Sequence, residues 1–123
     1  MQDLIVKIEA ATGLDADTAE KAVGAILNFL KSEGPEGKVQ EMLAAIPGAE
    51  VMMAEAASEK SGLLGGLMGG GVMGLGSKLM GMGLDMGQIS GVAKQTVGYA
   101  RENGAGDSVD EIVNSIPGLS QFV

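Results

Sequence analysis

Moved by 70 residues, this sequence lies on top of itself. Residues 13–48, GLDADTAEKAVGAILNFLKSEGPEGKVQEMLAAIPG, align without a gap on residues 83–118, GLDMGQISGVAKQTVGYARENGAGDSVDEIVNSIPG. Nine of the 36 aligned positions are identical: Gly13/Gly83, Leu14/Leu84, Asp15/Asp85, Gly34/Gly104, Val39/Val109, Glu41/Glu111, Ile46/Ile116, Pro47/Pro117 and Gly48/Gly118. Phe29/Tyr99 and Lys31/Arg101 match in kind. The pattern points to an internal duplication, in which one small unit that cannot bury its apolar face alone is written twice.

Elementary physics accounts for most of the matched positions. Asp15 and Asp85 each follow Gly-Leu and open a helical pattern, where a carboxylate can cap the free backbone N–H groups. The helices they open are expected to run to Ser32 and Glu102, with Gly34 and Gly104 taking the left-handed conformation that ends them. Ala19, Ala22, Val23, Ile26 and Leu30 fall on one face of the first, and Ile89, Val92, Ala93, Val97 and Ala100 on one face of the second. A shorter amphipathic helix follows in each copy, with Val39, Met42, Leu43 and Ile46 in one and Val109, Ile112, Val113 and Ile116 in the other, while Glu41 and Glu111 lie on the outer side. Ile-Pro-Gly stops both, because proline disfavours helical geometry in the residue before it and supplies no N–H.

A short helix with Leu4, Ile5 and Ile8 inward precedes the first copy. Leu75, Lys78 and Leu79 correspond, with one gap, to Leu4, Lys7 and Ile8, so the tail of the glycine-rich stretch is the expected counterpart helix. AEVMMAEAASEK continues the first copy as a further helical segment. The expected fold class is all-α: two tandem three-helix units, residues 1–60 and 75–123, joined by a Gly/Leu/Met-rich connector over 61–74, related by pseudo-twofold symmetry and packed as one helical bundle.

Composition agrees with this class. The chain is 46% apolar, which suffices for a buried core in 123 residues, but it carries only one Tyr, two Phe and no Trp. Sheets draw on aromatic and β-branched residues, so the core favours helices. Sixteen acidic against eight basic residues give a net charge of −8, and no stretch concentrates the bases, so nucleic acid is excluded as a partner on electrostatic grounds. The N-terminal MQDLIVKIEA lacks a basic region followed by an apolar run and reads as a helix start, which leads to a cytoplasmic expectation.

The stretch GLLGGLMGGGVMGLGSKLMGMG, residues 62–83, has ten glycines in 22 residues and Lys78 as its one charge. Each glycine in a helix interior costs about 1 kcal/mol relative to alanine, so this segment holds a helix only if something packs against it. Three readings stand. It has the length of a membrane span, with Gly62, Gly66, Gly70 and Gly74 in a small-residue series. It can be a connector lying over apolar surface. Or it can be a helix whose Leu64, Leu67, Met68, Val72, Leu75 and Leu79 bury against the units or a second subunit. In the last two, Leu63, Leu64, Leu67, Met68, Val72, Leu75 and Leu79 form the candidate surface for a partner or for self-association.

The order EGPEG, then VQEMLAAIPGAEVMMAEAA, then SGLLGGLMGGG, then GLD and a closing helix resembles a bacterial family without assigned function whose members carry the labels VcgC/VcgE. The resemblance spans about residues 10–118 and is carried chiefly by IPGAE followed by the Leu-Gly run. It implies an all-α bacterial protein and brings no catalytic residue with it.

Reactive chemistry has few places to sit. There is no His and no Cys, so serine and cysteine triads, thiolate chemistry and imidazole metal sites are excluded. Asp15/Asp17 and Asp107/Asp110/Glu111 could be read as acid–base pairs or a hard-cation site, but each group opens a helix, where carboxylates favour the positive end of the dipole. The glycine run lacks the leading strand and the Gly-Lys-Ser/Thr of a phosphate loop. Met68, Met73, Met80, Met82 and Met86 could offer thioethers to Cu(I), although methionine is also an adaptable filler of cores and grooves. The expectation is a non-enzymatic bacterial interaction or scaffold protein, self-associating, with no cofactor and no metal. Contact with a lipid surface through the Gly/Leu/Met segment is the alternative.

Overall fold

The computed structural model describes residues 2–57, 71–116 and 118–121. They form seven α-helices: α1 (Gln2–Thr12), α2 (Ala16–Glu33), α3 (Glu36–Ala44), α4 (Ala49–Ala57), α5 (Gly71–Gly81), α6 (Met86–Ala100) and α7 (Gly106–Ser115). A π-helical segment, Arg101–Ala105, joins α6 to α7, and a 3-10 turn, Leu119–Gln121, follows α7. Among the described residues there is no strand, and the chain is an all-α bundle around one contiguous core. No helix among them is long and apolar enough to cross a membrane.

The central element is α2. Its sequence AVGAIL, residues 22–27, offers no polar break, and all six positions are buried. A single apolar stripe would need one neighbour; a helix buried all round needs several. Accordingly α2 packs most extensively on α4 and also meets α1, α3, α5 and α6. The stripe expected on α6 is buried as well: Ile89, Val92, Ala93, Val97 and Ala100 all lie in the core. Thr96 is fully buried beside them and donates its hydroxyl to the Val92 carbonyl at 2.8 Å, so the core takes in a polar residue without stranding a donor.

Helix ends follow the local chemistry. The Asp15 carboxylate accepts from the Thr18 N–H at 2.8 Å, and Asp85 from the Gln88 N–H at 2.8 Å. The Gln88 side chain closes the second cap by accepting from the Asp85 N–H at 3.0 Å, a full capping box. At the other end of α5, Gly83 has φ +101° and the Leu84 N–H reaches back to the Leu79 carbonyl at 3.2 Å, a Schellman closure. The glycines that close the two Ile-Pro-Gly sequences also match, although the Ile46 N–H bonds the Leu43 carbonyl and the Ile116 N–H the Ile112 carbonyl. Gly48 and Gly118 have φ +80° and +85°, and the following N–H groups of Ala49 and Leu119 bond the Ile46 and Ile116 carbonyls at 3.1 and 3.2 Å.

Gly34 and Gly104 differ. Gly104 is left-handed at φ +95°, as expected, but Gly34 is extended at φ −90°, ψ 172°. Pro35 is the cause: a residue before proline is driven toward extended ψ, whereas Ala105 places no such demand on Gly104. What keeps position 34 a glycine is space. A Cβ there would lie 2.8 Å from the Leu30 carbonyl oxygen and 3.0 Å from Val39 Cγ2. The helix boundaries shift accordingly, with α2 running to Glu33 and α6 giving way at Ala100 to a segment broken at Asn103 and Gly104.

Between the parts of the chain before and after residues 58–70, the packing interlocks. α1 lies more extensively on α6 than on α2, α5 reaches back onto α2, and α3 pairs with α7. Helix α5 begins at Gly71, so helical structure takes in the end of the expected connector.

Candidate functional site

The polar residues that meet across the chain gather along the line where α1 and α3 face α6 and α7. Along α1 and α6 the helices run antiparallel. The Gln88 amide donates to the Thr12 carbonyl at 3.2 Å near one end, and Lys7 Nζ contacts Glu102 Oε1 at 2.8 Å near the other. Gly91 makes this approach feasible, since a Cβ there would fall 2.7 Å from Thr12 Cγ2. Lys7 also sits over the Tyr99 ring, 5.7 Å from its centroid, so its charge faces both a carboxylate and a ring. The hydrogen bond to Glu102 raises its pKa above the usual lysine value, with burial opposing.

Lower down, Lys38 on α3 reaches Glu111 on α7 at 2.9 Å and stands 4.0 Å from Glu41 on its own helix. Glu41 in turn accepts from the Ser108 hydroxyl at 2.7 Å. The hydrogen bond that Lys38 donates to Glu111 is the main reason the Lys38 pKa is raised. Arg101 and Asp110, within the later part of the chain, pair at 2.6 Å. Asp15 is held below the usual carboxylate range by the Thr18 hydrogen bonds at its cap. These acids therefore act as helix caps and ion-pair members. Among the described residues no group of three or more Asp or Glu side chains is placed to hold a metal ion.

A shallow, open groove of about 660 Å³ runs between α2, α3 and α4, with Asn28, Lys31, Leu43, Glu50, Val51 and Met53 along its walls. Asn28 fixes α4 by donating to the Met53 carbonyl at 2.9 Å. A smaller hollow of about 490 Å³ lies at the α1–α6 end beside Lys7, Tyr99 and Glu102.

Of the residues singled out as a partner surface, Leu63, Leu64, Leu67 and Met68 lie outside the described residues. Val72 is in α5. Leu75 is half-buried against the core, and Leu79 is fully buried within it, so both contribute to packing inside the chain. Of the methionines, Met80 and Met86 are exposed on either side of the α5–α6 turn, while Met82 packs partly against the core. The seam between α1, α3 and the later helices was not singled out from the sequence; its one signal was the matched pair Glu41/Glu111. The chain matches no family model, no curated protein and no solved structure.

Proposed function

We propose that this chain is a non-enzymatic interaction or scaffold protein of bacterial origin that associates with itself. One observation carries the reading. In a sequence without His or Cys, acid–base or hard-cation chemistry would fall to Asp and Glu. Here the matched acids are occupied as caps (Asp15, Asp85) or with partners across the bundle (Glu41, Glu111), and the unmatched Glu102 is likewise paired. A bundle built around recurrent structural acids, with an open groove and no enclosed pocket among the cavities described, is suited to holding another macromolecule. The kinship with VcgC/VcgE-labelled proteins belongs to the same proposal and rests on IPGAE and the Leu-Gly run.

Light scattering over a wide concentration range tests it. Dimers or larger species that weaken when Leu63 and Leu67 become Ser support self-association through the Gly/Leu/Met segment. A strict monomer at the highest concentration, unchanged by those substitutions, overturns it.

A further inference from the structure

We propose that two copies of this chain associate by exchanging halves, the helices α1–α4 of each packing on α5–α7 of the other. The inference rests on the self-association proposed above and names its geometry.

The two halves meet through α1 on α6, α5 on α2 and α3 on α7, and residues 58–70 are their only covalent tie. Those 13 residues include five glycines and, extended, reach roughly 45 Å at about 3.5 Å per residue. That is enough chain to leave one seam and enter another. Every contact of the seam is then remade between copies, so the exchanged dimer needs no new complementary surface.

Charge favours this route over docking by outer faces. The chain carries −8, so two acidic outer surfaces brought together repel. The seam is where opposite charges already meet: Lys7 with Glu102 and Lys38 with Glu111 both cross it. The outer faces also carry few large apolar side chains among the described residues: Val6, Val51, and Met80 and Met86 at the α5–α6 turn. The seam contacts are also matched. Lys38–Glu111 and Ser108–Glu41 join positions that correspond under the 70-residue shift. Linked halves see each other at an effective concentration in the millimolar range, so the exchanged form is expected to build up as chain concentration approaches that range and the seam is allowed to open.

The absence of cysteine makes the test clean. Gly91 and Thr12 face each other across the seam with a built Cβ 2.7 Å from Thr12 Cγ2, which brings the two Cβ positions within disulfide reach, roughly 3.5–4.5 Å. Chains carrying only Thr12→Cys and chains carrying only Gly91→Cys are mixed, unfolded, refolded together at millimolar concentration and oxidised. The double variant in one chain verifies that the pair can bond, and a mixture of Thr12→Cys with Glu50→Cys, on α4, sets the background. If either single variant fails to fold, Lys38→Cys and Glu111→Cys bridged by a short bismaleimide replace them. Exchange predicts a covalent dimer of one chain of each kind, many-fold above background. Dimers by light scattering with cross-linking at background overturn exchange but leave self-association standing. Monomers alone at every concentration overturn both.

Discussion

Lys38 and Glu111 meet at 2.9 Å between α3 and α7, and the residues at their matching places in the sequence, Ser108 and Glu41, meet at 2.7 Å. Both contacts lie between α3 and α7, one an ion pair and the other donated by a hydroxyl. The ion pair sets a pH dependence. Lys38 and Lys7 are held above the usual lysine value of 10.5 by Glu111 and Glu102. Their contribution is complete below that value and is lost as pH rises through the raised folded-state pKa. Melting temperature against pH should therefore fall on the alkaline side, and Lys38→Met should flatten that fall. Asp15, held below the usual 3.8 by its cap, contributes above that pH and is lost as acid protonates it, so Asp15→Asn should flatten the acid limb. Both effects are small because the groups are exposed.

Gly34 and Gly104 should respond differently to the same substitutions. Gly34→Ala drives a Cβ toward a backbone carbonyl that cannot rotate away, and about 3 kcal/mol of destabilisation is expected from overpacking. Gly104 has nothing within 4 Å of its Cβ position but a φ of +95°, so Gly104→Ala should cost about 1–2 kcal/mol in backbone strain. Gly104→Asn should recover part of that loss, since asparagine tolerates left-handed geometry, while Gly34→Asn should recover nothing. Urea denaturation of the four variants decides the matter.

At the α1–α6 crossing the sign of one substitution should depend on its neighbour. Gly91→Ala gains about 1 kcal/mol of helix propensity, but the new methyl meets Thr12 Cγ2 at 2.7 Å, which costs about 1–3 kcal/mol. With Thr12 present the result is destabilising or neutral. With Thr12→Ser, which keeps the hydroxyl bonded to the Ile8 carbonyl and removes the methyl, Gly91→Ala should stabilise. A double-mutant cycle reads the coupling directly.

The capping box of α6 predicts a further asymmetry. Asp85→Ala should cost about 1 kcal/mol, and Gln88→Ala should cost at least as much, because the Gln88 side chain serves both the Asp85 N–H and the Thr12 carbonyl whereas the Asp85 carboxylate makes the one bond to the Gln88 N–H. Thermal melts of the two single variants and the double variant measure both.

Much of the fold was legible because it is local. Caps at Asp15 and Asp85, the faces of α2 and α6 and the two Ile-Pro-Gly turns follow from residues within a few places of each other. What was hidden depends on distant residues. Periodicity says which face of α1 is buried, Leu4, Ile5 and Ile8, but not that α6 covers it. The extended torsion at Gly34 is itself a local signal, carried by Pro35. The burial of Ala22–Leu27 on every side needs α4 as well as the other neighbours of α2, and Met52 and Met53 of α4 enter the core although AEVMMAEAA has little amphipathic pattern of its own. The candidate surface in residues 63–68 lies outside the described residues, so the sequence remains its source.

The crossing of α1 onto α6 also orders events during synthesis. Helix α1 leaves the ribosome well before its main neighbour, α6, which begins 74 positions after Thr12, at Met86. Until α6 emerges, Leu4, Ile5 and Ile8 lack their main cover, and a nascent chain beside another on the same messenger can meet a stranger's α6 before its own.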